Sequence, residues 1–592
     1  MSSLDLWPIG NCQVSALVDA EAGFVWGCQP RVDGDPLFCA LLEPRNARGL
    51  WRMALEGQIS AEPRYLKNTP VLVTRLTDGD GGIADVYDFC PRFERSGRMY
   101  RPVAFVRIVR PLAGSPRLKV TLDPATGWGE RDAKRTSGTN HIRFLTKPQP
   151  LRLTTDAPVI HLLEARGFRL EESLHFFLGP DEPFVGNVGH TLATMLHETA
   201  DHWRSWVRGL AIPLEWQKHV IRAAITLKLC QHEETGAIVA AMTTSIPEAP
   251  DSGRDWDYRY CWIRDAYYTV QALNRLGALD VLEGYLGYLR NIVDEAKGGH
   301  IQPLYAVSGA AKLEESEADA LAGYRGMGPV RIGNAAYTQI QHDAYGQIVL
   351  SNAQAFFDER LFRPATGEDF AALERVGERA FRVHDKADAG LWEFRTRASV
   401  HTYSAVMSWA ACDRLANIAA RLGLDGRAKV WRRRADKVRG AIETRAWRSG
   451  EGRFAATFGG DELDASLLQL VDMRFLAADD PRFLATLDAV EKGLRRGEHM
   501  LRYAAEDDFG LPETAFNFCT FWLIEALHLA GRTDEARQLY CKMLDRLTPA
   551  GLLSEDTDFV TGELWGNYPQ TYSLVGLINC AGLLSRPWSS IR

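Results

Sequence analysis

In the N-terminal part of the chain, apolar positions recur at every second residue. Leu118, Val120 and Leu122 alternate with Lys119 and Thr121, Leu151 and Leu153 with Arg152 and Thr154, and Leu174, Phe176 and Leu178 run up to Gly179-Pro180. That period marks a strand with one face on a core. The β-rich runs 71–77 and 83–89 flank Asp78-Gly-Asp-Gly-Gly82, whose glycines supply the positive φ of a hairpin turn. Many short strands separated by Gly and Pro turns predict an antiparallel β-sandwich over residues 1–190.

Beyond about residue 190 the period lengthens to that of a helix. Met407, Ala411, Leu415, Ile418 and Leu422 form one stripe, ended by Gly423; Phe518, Trp522, Ala526 and Leu529 form another, followed by Gly531. Similar spacing runs through 216–229, 265–276, 343–357, 369–383, 427–444 and 533–547. Roughly ten to twelve helices are expected in this part. Residues 191–215, with Trp203 and Trp206, read as a helical connector, and 216–592 as the helical domain. No Pro/Ser-rich linker divides the two textures, so the halves are expected to pack together, with the sandwich lending a loop to the rim of any pocket.

Composition narrows the class. A chain of 592 residues is too long for one simple core. A net charge of −7 and the absence of a dense basic patch argue against a nucleic-acid partner, and Arg432-Arg-Arg434 reads as one solvated helix face. The N-terminus has no basic start and no apolar run, so no signal peptide is expected. No run of about 18 apolar residues appears, so no membrane partner is expected either. The 10 cysteines include no CxxC pair, and no His/Cys cluster has metal spacing. Reduced, mostly buried thiols, no metal, no cofactor and a cytoplasmic location follow as expectations. Nothing in the sequence fixes the oligomeric state.

The densest chemistry lies in Gly253-Arg-Asp-Trp-Asp-Tyr-Arg-Tyr-Cys-Trp-Ile-Arg-Asp265. Aromatic and charged residues in such a mixture make a poor core. They suit the wall of a sugar pocket, where flat rings cover pyranose faces and charged groups clamp hydroxyls. A surface loop with a salt-bridge network would have the same composition. Carboxylates beside Trp and Gly recur at Asp388-Ala-Gly-Leu-Trp-Glu-Phe-Arg395, at Asp507-Asp-Phe-Gly-Leu-Pro-Glu513 and at Gly551-Leu-Leu-Ser-Glu-Asp556. Two carboxylates facing one pocket can divide acid and base roles when their surroundings separate their pKa values. By residue type alone Glu393, Glu513 and Glu555 rank equally, and the acidic run 506–508 reads as solvated.

Several blocks in order resemble glycoside hydrolase family 15, the glucoamylase and trehalase-like family: Ile9-Gly-Asn-Cys-Gln-Val-Ser-Ala-Leu-Val18, Pro30-Arg-Val-Asp33, Thr243-Thr-Ser-Ile-Pro-Glu248, Trp256-Asp-Tyr-Arg-Tyr-Cys-Trp-Ile-Arg-Asp265, Leu391-Trp-Glu393 and Gly566-Asn-Tyr-Pro-Gln570. The resemblance implies an N-terminal β-sandwich followed by an (α/α)6 barrel. It implies cleavage of terminal α-linked glucose with inversion, with Glu393 as general acid and Glu555 as general base. It places Trp262, Arg264 and Asp265 on the terminal glucose, with Tyr258 stacking nearby. To carry a proton near neutral pH, Glu393 is expected to have water excluded by an indole, Trp392 or one across the pocket, while Glu555, to stay ionised, is expected to see water and donors. Asp343 and Glu513 lie in blocks that resemble pocket-lining segments. His401 and Tyr403 are pocket-lining or helix-start residues.

The chain departs from the family pattern at Ala405, where a lysine commonly follows Tyr-Ser, and at Asp556, where Gln or Glu is usual. Both changes bear on the aglycone side. The expected function is an exo-acting hydrolase of small α-gluco-oligosaccharides, with no appended starch-binding module to favour granular starch. An α,α-trehalase on the same scaffold is the alternative, and a non-catalytic sugar-binding regulator stands behind both.

Overall fold

In the computed structural model the described residues are 4–43 and 48–591. The N-terminal part consists of two antiparallel sheets. One orders Leu6–Gly10, Ser15–Asp19, Gly23–Gln29, Leu50–Leu55, Arg117–Asp123 and Phe168–Arg169, with Asp35–Phe38 also pairing with Gly23–Gln29. The other runs Lys134–Ser137, His141–Leu145, Leu151–Thr155, Leu174–Pro180, Phe105–Ala113, Ile83–Phe89, Leu72–Asp78 and Gln58–Tyr65. The hairpin read from the glycine-rich turn is present: Thr77 pairs with Ile83, and Asp78 Oδ1 accepts from the Asp80 and Gly82 amides at 2.9 and 2.6 Å. Between the sheets Phe24, Phe38, Trp51 and Phe105 meet edge to face. Arg107 is buried among them, held by Asp88 at 2.8 Å and donating to the Trp51 and Ala22 carbonyls. The ion pair lies within one sheet, and the two carbonyl bonds tie that sheet to the other.

After helix Val188–Arg208 the chain forms a double ring of helices. The outer positions are α1 (Gln217–Leu229), α3 (Leu279–Ala296), α5 (Gly367–Val383), α7 (Asp425–Arg445), α9 (Pro481–Leu494) and α11 (Thr533–Leu544). The inner positions are α2 (Ile263–Arg275), α4 (Asp343–Ala353), α6 (Thr402–Arg421), α8 (Gln469–Asp472), α10 (Asn517–Leu529) and α12 (Thr571–Leu584). Short α8 is extended at its start by a 3-10 turn, Ala465–Leu468. Inner helices are buried on nearly every side, as all-round apolar sequence requires. The inner helices contact their neighbours in sequence and α12 returns to α2, while α1 packs on α12. The result is the (α/α)6 barrel that the resemblance implies.

The glycine stops act as read. Gly423 has φ 72° and Gly531 φ 86°, each just beyond the helix that its stripe predicts. Most of the cysteines are buried and all are free, with Cys541 exposed. Arg432 and Arg434 are not merely solvated: they pair with Asp413 and Glu378 on neighbouring helices. Among the described residues no helix is long and apolar enough to cross a membrane.

Sandwich and barrel share buried hydrogen bonds. Trp26 Nε1 donates to the Met242 carbonyl at 2.7 Å, Tyr568 Oη to the Leu6 carbonyl at 2.8 Å, and the Arg222 guanidinium covers the Tyr65 ring at 3.5 Å. The conspicuous N-terminal blocks thus brace the barrel.

Candidate active site

A cleft opens where the loops leading into the inner helices meet. Its first wall is the segment 254–262. Arg254, Trp256, Tyr258 and Trp262 line the cleft. Asp257 and Arg259, at the intervening positions, are fully buried on the other side, bonded to each other at 2.7 and 2.9 Å. Arg259 also donates to the Gly34 carbonyl at 2.7 Å and covers Trp128 at 4.6 Å. An extended chain presents alternate side chains to opposite faces. Pocket wall and salt-bridge network are therefore two faces of one strand-like segment, the second anchored in the sandwich. Among the described residues the lining begins at Ala240, so the sandwich supports the wall from behind and lends no loop to the rim.

Trp262 caps the start of α2, which places Arg264 and Asp265 in its first turn and inside the cleft. Arg264 is the hub of the floor: it donates to Tyr572 Oη at 2.9 Å, Gln341 at 2.8 Å, Asp343 at 3.2 Å and Glu393 at 3.0 Å. Burial pushes Asp265 up to about 7, with Arg264 opposing the shift and Glu393 adding to it. One guanidinium thus serves three carboxyl groups.

Glu393 sits in a tight turn between Ala389 and Phe394. Its φ is 59°, a left-handed conformation that costs a side-chain-bearing residue roughly 1–2 kcal/mol. Strain of this kind persists where the surroundings hold it and gathers at functional sites. Gly390, φ 69°, permits the turn: a Cβ there would lie 2.7 Å from the His401 ring. Glu393 Oε1 accepts from Trp262 Nε1 at 2.7 Å, Arg264 at 3.0 Å and Gln341 at 3.2 Å. All these donors go to Oε1.

Glu555 faces the same cleft from the loop before α12. Oε1 accepts from the Tyr258 hydroxyl at 2.8 Å, and Oε2 is buried with no partner among the described residues. Asp556 is equally buried, and its Oδ2 is likewise unpartnered. Both free oxygens point at Gly566: a Cβ built there would lie 2.9 Å from Glu555 Oε2 and 3.4 Å from Asp556 Oδ2, so only glycine fits at this φ of 77°. Glu248 completes an acidic cluster, paired with Arg502 and accepting from Trp256 Nε1 at 3.1 Å. Burial first, then the charges of Glu248 and Asp556, pushes Glu555 well above the usual carboxyl range; burial and Glu248 do the same to Asp556.

The expected surroundings of the two glutamates are therefore reversed. The sequence reading gave Glu393 an indole shield, from Trp392 or from across the pocket, and Glu555 a setting of water and donors. Trp392 instead turns its Nε1 to Asp464 at 3.0 Å and packs on Tyr503, Phe516 and Trp522, while Glu393 collects the donors.

Tyr258, Trp262, Arg264, Asp265, Trp392, Glu393 and Glu555 all come together in the cleft lining. Asp343 lies behind it, fully buried against Arg264. Glu513 is not brought in: it is exposed and outside the lining, because its loop turns outward after Gly510. Nor is Asp507 solvated; Arg254 grips it at 2.7 Å through both nitrogens. His401 caps α6 from beneath, and Tyr403 bonds Tyr268 at 2.9 Å, so both support the floor from outside the lining. Sequence reading missed Arg254, Gln341, Arg395, Arg502 and Tyr572 as site residues. Arg254 alone carried a signal, its place in the aromatic and charged stretch.

Comparison with known proteins agrees with this geometry. A family model described as glycosyl hydrolases family 15 matches residues 216–582. A trehalase of Thermoplasma volcanium is 30% identical over 97% of this chain and 92% of its own length. A trehalase of Mycobacterium tuberculosis is 31% identical over 96% of this chain and 88% of its own. Among solved structures, a bacterial glucoamylase complexed with acarbose superposes with a TM-score of 0.69 at 14% identity, covering 98% of this chain and 94% of that one.

Proposed function

Because the chain belongs to glycosyl hydrolase family 15, we propose that it hydrolyses α,α-trehalose, with inversion at the attacked carbon. The observation that carries the chemistry is the pair Glu393 and Glu555, held on one cleft by hydrogen bonds from Trp262 and Tyr258. The sequence reading put gluco-oligosaccharides first and trehalose second. The relatives named trehalase, matching nearly end to end at 30 and 31% identity, reverse that order. The glucoamylase likeness, at 14% identity, speaks for the fold alone.

A terminal glucose enters the deep end, where Arg264 and Asp265 meet its hydroxyls and Tyr258 and Trp262 its ring. Glu393 is the general acid. Its Oε1 is occupied by donors, which leaves Oε2 to give a proton to the glycosidic oxygen as the bond from the anomeric carbon breaks. Beside Arg264 and Glu393, burial holds the Asp265 carboxyl up at about 7. Glu555 is the general base and takes a proton from the water that attacks the opposite face. Among Glu248, Glu555, Asp556 and Asp507 there are four carboxyl groups and two guanidinium groups, Arg254 and Arg502. Glu555 and Asp556, both raised, share a proton, and the Tyr258 hydroxyl favours the anion on Glu555.

Proton NMR of the first turnovers tests the reading. Inversion predicts one β-glucose and one α-glucose from each trehalose. Glu393→Gln and Glu555→Gln should each lower kcat by about 10²–10⁴-fold. No turnover of trehalose, or two α-glucose products, would refute it.

A further inference from the structure

We propose that the loop 504–513 limits this site to two sugar rings, with Asp508 and Phe509 as specificity-determining residues. The proposal rests on the reading of the cleft as a glucoside hydrolase site and adds to it a limit on substrate length.

The cleft has a deep end and a mouth. Trp262, Arg264 and Asp265 are 3, 6 and 5% exposed, while Phe509 is 40% exposed. A glucose seated at the deep end, with its anomeric carbon between Glu393 and Glu555, sends its leaving group toward the mouth. That mouth is spanned by side-chain contacts. Asp507 anchors the loop to Arg254 through two bonds of 2.7 Å. Asp508 crosses to the turn that carries the acid, accepting from the Arg395 amide at 2.6 Å, the Thr396 amide at 3.2 Å and the Thr396 hydroxyl. Between these anchors Phe509 lies edge-on to Trp256, centroids 5.2 Å apart. The Arg395 guanidinium covers the same indole at 4.3 Å and is itself fixed by Glu315 at 3.0 Å.

The loop thus ties the 254–256 wall to the 393–396 turn across the route a longer glucan would take. Its inward charges, Asp507 and Asp508 with Arg254 and Arg395, offer donors and acceptors to the hydroxyls of one further ring. A third ring would have to break the Asp508 and Phe509 contacts. Outside the loop, Leu511 is 54% exposed, so the strap has nothing packed over it at that point. Leaving the Asp508 acceptors or the Trp256 face without partners is the cost a longer substrate meets, and it recurs at every binding event.

The test compares kcat/KM for trehalose, maltose and maltotriose in the parent and in Asp508→Ala, Phe509→Ala and Thr396→Val, with thermal unfolding as a check on folding. Maltotriose should be at least tenfold poorer than maltose in the parent, or not cleaved, and the substitutions should raise the maltotriose-to-maltose ratio at least tenfold. A parent that cleaves maltotriose as readily as maltose overturns the proposal, as does a ratio unmoved in all three variants or loss of every activity in all three. Inactivity of the parent on all three sugars sinks the functional reading itself, whereas trehalose hydrolysis with an unmoved ratio sinks only the role of the loop.

Discussion

Tyr258 and Trp262 stand edge to face with ring centroids 5.4 Å apart, and each gives its polar hydrogen to a different glutamate. Tyr258 reaches Glu555 at 2.8 Å and Trp262 reaches Glu393 at 2.7 Å. The two carboxyl groups lie 162 positions apart in sequence (555 − 393). They are brought to one cleft by a single short segment whose aromatic pair sets the orientation of both.

Among the described residues, Tyr258→Phe removes the one hydrogen bond that the Glu555 carboxyl accepts. A hydrogen bond to a charged group is worth about 1.5–3 kcal/mol, so kcat should fall roughly 10- to 150-fold with folding intact. Trp262→Phe leaves Arg264 and Gln341 on Glu393 and should cost less in kcat. Steady-state kinetics on trehalose give the comparison; an equal or larger loss in Trp262→Phe would contradict the assignment of donors.

The acidic cluster makes a pH prediction. Glu555 lies well above the usual carboxyl range through burial and the charges of Glu248 and Asp556. If Glu555 is the base, as proposed, it must be ionised, so activity should rise with pH through a limb above the ordinary value of about 4.3. Arg502, Arg254 and the Tyr258 hydroxyl face the cluster and oppose part of the shift. Asp556→Asn removes one acid and should move the limb toward lower pH. For stability the sign is opposite to that of an ordinary paired carboxylate. Carboxyls raised on folding bind more protons when folded, so their contribution is greatest at low pH and fades as pH rises. Asp556→Asn should therefore also lessen the loss of stability on the alkaline side. A kcat/KM profile and thermal melts across pH test both; an unmoved limb would mean that Asp556 adds nothing to the raised position of Glu555.

Asp343 bonds Arg264 and lies outside the cleft lining. It is fully buried, bonded to Arg264 at 3.2 Å and to Gln347 at 2.8 Å. Breaking a buried ion pair by removing one partner costs about 3–5 kcal/mol. Asp343→Ala should lose that much in denaturant unfolding and raise KM as Arg264 loosens, while Asp343→Asn keeps shape and hydrogen bonding and recovers part of each. Wild-type stability in the alanine variant would show that the pair carries no weight.

Much of this was legible in the sequence because the signals were local. The stripe of Met407, Ala411, Leu415 and Ile418 and the stop at Gly423 reproduce α6 closely. Where sequence reading fell short, long-range packing decided. Helix α12 is apolar on every side, so it offers no stripe, and α8 with its 3-10 turn is too short to show one. Glu513 and Glu393 looked alike as loop glutamates beside aromatic or Pro residues. Only the fold turns one outward and holds the other under Arg264. The surroundings of Glu393 and Glu555 were inverted for the same reason: their neighbours, Arg264, Gln341, Glu248 and Asp556, come largely from other loops.

The division into residues 1–190, 191–215 and 216–592 leads to a last prediction, for a fragment lacking the sandwich. Residues 191–592 would keep both glutamates and all of the cleft lining. They would lose the Gly34 carbonyl that Arg259 uses, the Leu6 carbonyl that Tyr568 uses, and the Tyr65 ring under Arg222. Arg259 is fully buried, so its guanidinium would be stripped of the sandwich contacts directly behind the Tyr258 wall. Met242, in the loop leading to that wall, would lose the Trp26 indole from its carbonyl. Apolar surface freed on the barrel would favour association with other copies. The fragment should accordingly be recovered in the insoluble fraction, and any soluble portion should show no trehalose hydrolysis. Sedimentation of the expressed fragment and an activity assay on the supernatant decide it: a soluble, active barrel would show that the wall holds its shape without the sandwich behind it.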